Sequence, residues 1–140
     1  MRPILLPKLW IGNARDARDA RELFDAGIGA VVDLAFEEPP AVLPREIVYL
    51  RFPLLDGSGN AAWLLRLAIE STRSLIASNV PTLVACSGGM SRSPAIAAAA
   101  LGMTGQCSPD QSLRGLREHG PFDVSPGLWS DIHSLAAEPS

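Results

Sequence analysis

The sequence predicts a single α/β domain over residues 1–140, with a central, mainly parallel sheet flanked by helices on both faces. Three observations lead there. Short apolar runs of strand length stand at Lys8–Gly12, Ile28–Ala35, Glu46–Leu54 and Pro81–Ala85. Stretches with apolar residues at helical spacing separate them, the alternation that builds a parallel sheet covered on both sides. No linker or composition shift divides the 140 residues, a length that fits one domain able to bury a core.

Each element has a local reason. "MRPILLPKLW" is an apolar patch interrupted by Pro3 and Pro7, without the small-residue cleavage site of a signal peptide. "KLWIG" predicts a strand ended by Gly12-Asn13. "ARDARDARELFDAG", Ala14 to Gly27, predicts a helix. Its charges at Arg15, Asp16, Arg18, Asp19, Arg21 and Glu22 make a solvated face, Ala17, Ala20, Leu23 and Phe24 a less polar stripe, and Gly27 the stop. "IGAVVDLA" is a buried strand, and "FEEPP" a loop closed by a double proline. "EIVYLRFPL" alternates as a strand, and Leu55–Asn60 is a flexible glycine-bearing loop. Ala61–Ser78 is a long amphipathic helix with Leu64, Leu67, Ala68, Leu75 and Ile76 among its apolar positions. After the strand "PTLVA", helices over 94–103, 109–118 and 126–137 fill the last third.

Composition excludes several classes. Hydrophobic residues are 47% and charged residues 19%, a globular balance. A net charge of -3 gives no nucleic-acid footprint. The longest apolar run, Pro94 to Met103, falls far short of the roughly 20 residues that span a bilayer, so no membrane partner is expected. Two cysteines, Cys86 and Cys107, are too few for a disulfide framework and read as reduced thiols in a cytoplasmic protein. His119 and His133 are isolated and read as surface or cap residues rather than metal ligands.

The chemistry is carried by "VPTLVACSGGMSRSPAIAAAALG", Val80 to Gly102. In α/β sheets ligands bind where strands give way to helices, and Cys86 to Ser93 lies at such a junction. Ser93 is a good N-cap and Pro94 a good first helical residue, so the helix is expected to begin there. Free N–H groups and the helix dipole at that terminus attract an anion. Gly88 and Gly89 permit positive-φ turns that curl successive N–H groups of Ser87, Gly88, Gly89, Met90 and Ser91 inward as a nest. Arg92 adds a fork for two phosphate oxygens. In this setting the thiol of Cys86 is expected to be acidified from about 8.5 into the range of roughly 3.5–7.5 and to act as a nucleophile.

The spacing Cys-x5-Arg-Ser resembles the signature of the cysteine-dependent protein tyrosine phosphatases. Cys86, Gly89, Ser91, Arg92 and Ser93 match the dual-specificity branch best. "PKLWIGNARDA", "GIGAVVDLAFEEPP", "VYLRFPLLDGSGN" and "SPGLWSDI" extend the likeness from about residue 5 to 135, and the chain is identified as a small atypical dual-specificity phosphatase. The resemblance implies a phosphatase-like fold and a cysteinyl-phosphate intermediate. It makes Asp56, thirty residues before Cys86 (86 − 56), the general acid, and Ser93 the group that helps the thiolate leave. No cofactor or metal is implied. One position departs: the family usually places a histidine directly before the cysteine, and here it is Ala85. One lost pKa unit would be about 1.4 kcal/mol of thiolate stabilisation.

Two rival readings stand beside this one. A non-catalytic phosphate-binding module would keep the cradle, but needs neither Cys86 nor Asp56. A thiol-redox enzyme would use Cys107 as resolving cysteine, and a sulfurtransferase would not need the acid. The expected partner is a phosphorylated protein, phosphotyrosine first, with other phosphomonoesters sharing the same cradle chemistry. For Tyr49, Phe52 and Trp63 core packing is the expected use, with lining of the site the alternative. The sequence carries no signal of oligomeric state.

Overall fold

Side chains alternate along a strand, and here both sets are apolar, so the sheet has to be covered twice. Leu9 and Ile11, Val32 and Leu34, and Val84 enter one buried cluster; Trp10, Val31, Leu83 and Ala85 enter a second. The computed structural model describes residues 1–5 and 8–137. Leu6, Pro7 and residues 138–140, which belong to the expected 1–140 domain and, for Pro7, to the family-like opening strand, lie outside the described residues.

Among the described residues five strands form one sheet: β1 (Arg2–Leu5), β2 (Leu9–Gly12), β3 (Ala30–Ala35), β4 (Val48–Leu54) and β5 (Thr82–Ala85), in the order β1-β2-β5-β3-β4. All pairings are parallel except β1 with β2. The sheet is therefore mainly parallel, as expected, but β1 is an addition. Its four residues include Pro3, which an edge strand tolerates because one side of its ladder is unpaired.

Helices α2 (Ala62–Ala77), α3 (Arg92–Gly105), α4 (Pro109–Leu116) and α5 (Pro126–Ala137) contribute to the larger cluster, and α1 (Ala20–Asp25) brings Leu23 to the other. The segment read as one helix over 14–27 is divided. A 3₁₀ turn covers Asp16–Arg18, and Asp19 then caps α1 by accepting from the Glu22 backbone N–H. An aspartate that can cap competes with helix continuation, which explains the break. On α2 the buried face is Leu65, Ala68, Ile69, Thr72 and Ile76, while Leu67 and Trp63 point outward. Trp63, expected in the core, is 63% exposed because it sits one position off the buried stripe. Phe52 and Tyr49 are partly buried against the two clusters.

The middle of α3 carries the packing. Ala95 to Ala100 are buried side by side, and short side chains let α3 lie against β5 and the helices around it. The register then sets the site. Gly12 and Asp33 both pair with Ala85, so β2, β3 and β5 end at one level. Everything that follows those ends converges above Cys86.

Candidate active site

Cys86 leaves β5 with its backbone N–H donating to the Gly12 carbonyl at 3.3 Å. Its side chain is only 2% exposed, and Sγ lies 2.8 Å from Ser93 Oγ, with the Ser93 N–H 3.5 Å from the same sulfur. The loop that follows turns at Gly89, φ +72°, where an added Cβ would stand 2.9 Å from the Gly12 carbonyl oxygen. Gly88 does not share this role: it has no positive φ, and nothing lies within 4 Å of a Cβ there. One left-handed residue is enough to make the turn. Gly89→Ala is therefore expected to cost about 2 kcal/mol or more from left-handed strain and the backbone clash, and Gly88→Ala almost nothing, measured as denaturant midpoints.

Helix α3 starts at Arg92 with Ser91 as N-cap, not at Ser93-Pro94 as expected. The Ala95 N–H donates to the Ser91 carbonyl at 3.0 Å, which closes the first turn two residues earlier. Pro94 fits at the third helical position because the first N–H groups of a helix have no internal partner to lose. Ser93 is thus inside the helix, and its hydroxyl is free to meet the sulfur. The Ser91 hydroxyl caps nothing. It donates to Asp56 Oδ1 at 2.6 Å and accepts from the Ser125 N–H at 2.8 Å.

Arg92 is 3% exposed and grips inward. Its Nη1 and Nη2 meet Glu37 Oε1 and Oε2 at 2.6 and 2.7 Å, and Nη1 also donates to the Leu54 carbonyl at 2.8 Å. Burial pulls the Arg92 pKa down, but the Glu37 bond and the nearby Cys86, Glu37 and Asp56 charges outweigh it and raise it overall. The same hydrogen bond holds the Glu37 carboxyl below its ordinary range, against the opposing effect of burial. The next residue serves the other end of the loop: Ser87 Oγ donates to Glu38 Oε1 at 2.9 Å. Behind them Arg51 Nη2 donates to the Glu38 carbonyl at 3.1 Å and to those of Ala35 and Phe36 at 3.4 Å. These acids were not singled out from the sequence. The available signal was a pair of adjacent carboxylates directly after a strand expected to run parallel to that of Cys86.

Asp56 is exposed and stands beside the loop through its bond to Ser91. The segment read as flexible is tied down. Asn60 accepts from the Leu55 N–H at 2.8 Å and returns Nδ2–H to the Leu55 carbonyl at 2.9 Å, while the Gly59 N–H donates to Asp131 at 3.0 Å. Ala85 is buried in the second cluster. Beside it, buried Asp33 accepts from the Tyr49 hydroxyl and the Ala35 N–H. Burial and the Asp33 bond raise the Tyr49 pKa.

Cys107 is exposed and lies beyond the far end of α3, whose 14 residues span about 21 Å. It is not placed to resolve a disulfide with Cys86. His133 bonds Asp110 at 3.0 Å on the surface, away from the loop. No helix among the described residues is long and apolar enough to cross a membrane. The structure thus brings Cys86, Ser87, Ser91, Arg92, Ser93 and Asp56 together, and adds Glu37 and Glu38 to them.

Residues 9–106 match the family model described as "Polymorphic toxin system, DSP-PTPase phosphatase". Dual specificity protein phosphatase 16 of Homo sapiens is 31% identical over 126 residues, which cover 89% of this chain and 19% of that protein. The chain thus spans about a fifth of that relative's length. Human DUSP28 superposes with a TM-score of 0.84 at 23% identity, covering 96% of this chain and 94% of that one. The human tyrosine phosphatase-like serine/threonine/tyrosine-interacting protein superposes with a TM-score of 0.83 at 19% identity, covering 98% and 95%. At these identities the two structures speak for the fold.

Proposed function

The chain belongs to the dual-specificity (DSP-PTPase) phosphatase family, and from that premise we propose that it hydrolyses phosphomonoesters through a cysteinyl-phosphate intermediate. One observation carries the reading: a buried cysteine sulfur at the foot of the loop, 2.8 Å from a serine hydroxyl, with an arginine and an aspartate tied to the same loop. The thiolate of Cys86 attacks phosphorus in line; the S–P bond forms, the P–O bond to the leaving group breaks, and Asp56 gives that oxygen its proton. Water then attacks phosphorus, Asp56 takes its proton back, and the S–P bond breaks while Ser93 Oγ donates to the departing thiolate. Loop N–H groups and Arg92 hold the equatorial oxygens throughout. No step needs a metal, and a reduced thiol suits a cytoplasmic location.

A phosphorylated protein, with phosphotyrosine preferred, is the substrate in this reading. Phe36, Met90 and Trp63 support an aryl group. All three are exposed, and they ride on the segment of Glu37, on the loop itself and just after the Asp56 segment. The test is release of phosphate from matched phosphotyrosine, phosphoserine and phosphothreonine peptides in the presence of a chelator. Turnover of the tyrosine peptide at a kcat/KM at least about tenfold above the others is expected, since an aryl face adds roughly 1.4 kcal/mol of contact. No turnover by folded protein that still binds inorganic phosphate would replace the enzyme with a phosphate-binding module.

A further inference from the structure

Asp56 rides on a surface loop, and the aim of a general acid depends on what holds that loop. The bonds of Asn60 to the Leu55 and Gly57 backbone close the loop on itself, but set nothing between it and the phosphate loop. The direct bond between the two, from Ser91 Oγ to Asp56 Oδ1, uses the carboxyl that has to turn to the ester oxygen, so it cannot hold the loop during the reaction. The segment from Phe122 into α5 makes a separate connection. Phe122, Val124, Leu128 and Ile132 bury it in the larger cluster. On one side its backbone meets the phosphate loop: the Asp123 N–H donates to the Met90 carbonyl at 2.9 Å, and the Ser125 N–H to Ser91 Oγ at 2.8 Å. On the other it meets the loop of Asp56. Asp131 Oδ2 accepts from the Gly59 N–H at 3.0 Å, 72 positions away in the chain. The first turn of α5 comes so near that a Cβ at Gly127 would stand 3.0 Å from the Ser58 backbone nitrogen and 3.1 Å from its Cβ.

We propose that Asp131 is a positioning residue for the general acid: through the Gly59 N–H it holds the Asp56 loop at a set distance from the phosphate loop, with α5 as the rigid member between them. Rigidity has two sources. Leu128 and Ile132 anchor the helix in the core. Asp110 of α4 anchors its outer side, where Oδ1 accepts from Trp129 Nε1 at 2.9 Å and lies 3.0 Å from His133 Nε2. A loop tied to such a helix has lost its freedom before substrate arrives, and only the Asp56 carboxyl is left to turn. The gain is confined to the proton transfer. Phosphate is held by the loop N–H groups and Arg92, which Asp131 does not touch.

The inference rests on the reading of Asp56 as general acid, and one set of rate measurements separates the two. The full chain is compared with D131A, D131N, D56N and the D131A/D56N double variant. Each is assayed for kcat/KM on phenyl phosphate and para-nitrophenyl phosphate, and titrated with inorganic phosphate. D131A is expected to lose about tenfold on phenyl phosphate, part of the roughly 10²-fold that a 1 Å misplacement can cost, because Asn60 still closes the loop. On para-nitrophenyl phosphate it should lose less than about twofold, and its phosphate affinity should stay within about twofold. The amide oxygen of D131N can still accept from the Gly59 N–H, so this variant should recover most of the loss. In the D56N background, D131A should change either rate by less than about twofold, since no acid is left to aim. A merely structural role would slow both esters alike and persist in that background. Equal losses on the two esters, no loss on phenyl phosphate, D131N as slow as D131A, or a full loss retained beside D56N each overturn the inference. Should D56N itself turn over phenyl phosphate like the unaltered chain, or the unaltered chain turn over neither ester, the reading beneath falls and the inference with it.

Discussion

Replacing Cys86 by serine is expected to lower turnover of a small aryl phosphate by at least about 10⁴-fold, the scale on which enzymes lose rate when their nucleophile is removed. Phosphate affinity should stay roughly unchanged. The separation follows from the geometry. The groups that would hold phosphate are the loop N–H groups and Arg92, and none depends on sulfur; the Ser93 hydroxyl can bond an oxygen at position 86 as it bonds the sulfur at 2.8 Å. The chemistry does depend on it, because a thiolate is available near neutral pH and an alkoxide is not. The assay is initial rate without metal, paired with phosphate titration of both proteins. Residual activity within tenfold of the unaltered chain would mean that another group attacks phosphorus. Loss of phosphate binding along with turnover would mean that the sulfur holds the loop together rather than reacting.

How much of this is legible in the sequence depends on whether the parts are contiguous. Cys86 to Ser93 can be read directly, because strand end, turn glycine, arginine and helix start lie within eight residues and each constrains the others. Within that stretch the errors are local. Gly88 and Gly89 look equivalent until the Gly12 carbonyl is seen 2.9 Å from the Cβ position of only one. Ser93-Pro94 looks like a helix start because a serine before a proline is a good cap, yet Ser91 closes the turn first. The two glutamates that meet the loop are another matter. Glu37 is 55 positions from Arg92 and Glu38 49 from Ser87, and only the parallel pairing of β3 with β5 brings them together. Before that pairing is known, two glutamates in a proline-bounded loop look like solvated surface charge. Strand β1 is missed for a related reason, since a four-residue edge strand with a proline has no periodicity to show and takes its conformation from β2.

Asp56→Asn is expected to have an effect that depends on what leaves. With phenyl phosphate, whose leaving oxygen needs a proton, kcat/KM, which reports the step that expels the leaving group and not the later hydrolysis common to all esters, should fall by about 10²–10³-fold, within the range that a positioned general acid supplies. With para-nitrophenyl phosphate, whose leaving group departs readily as an anion, the loss should be much smaller. Asparagine is a fair probe because its Oδ1 can still accept from Ser91 Oγ, as Asp56 does at 2.6 Å, and because the segment is pinned independently by Asn60 and Asp131. A general loosening of the site would slow both substrates alike. The fall in rate at rising pH that ionisation of a general acid imposes should also disappear in the variant, which a positional defect would not do. Equal losses on the two esters, with the alkaline fall retained, would remove Asp56 from the chemistry and leave it the role its geometry already carries, a carboxylate that orients Ser91 at the mouth of the loop. The steeper dependence on the leaving group would instead make the bond to Ser91 a resting contact, from which the carboxyl turns toward the ester oxygen when substrate arrives.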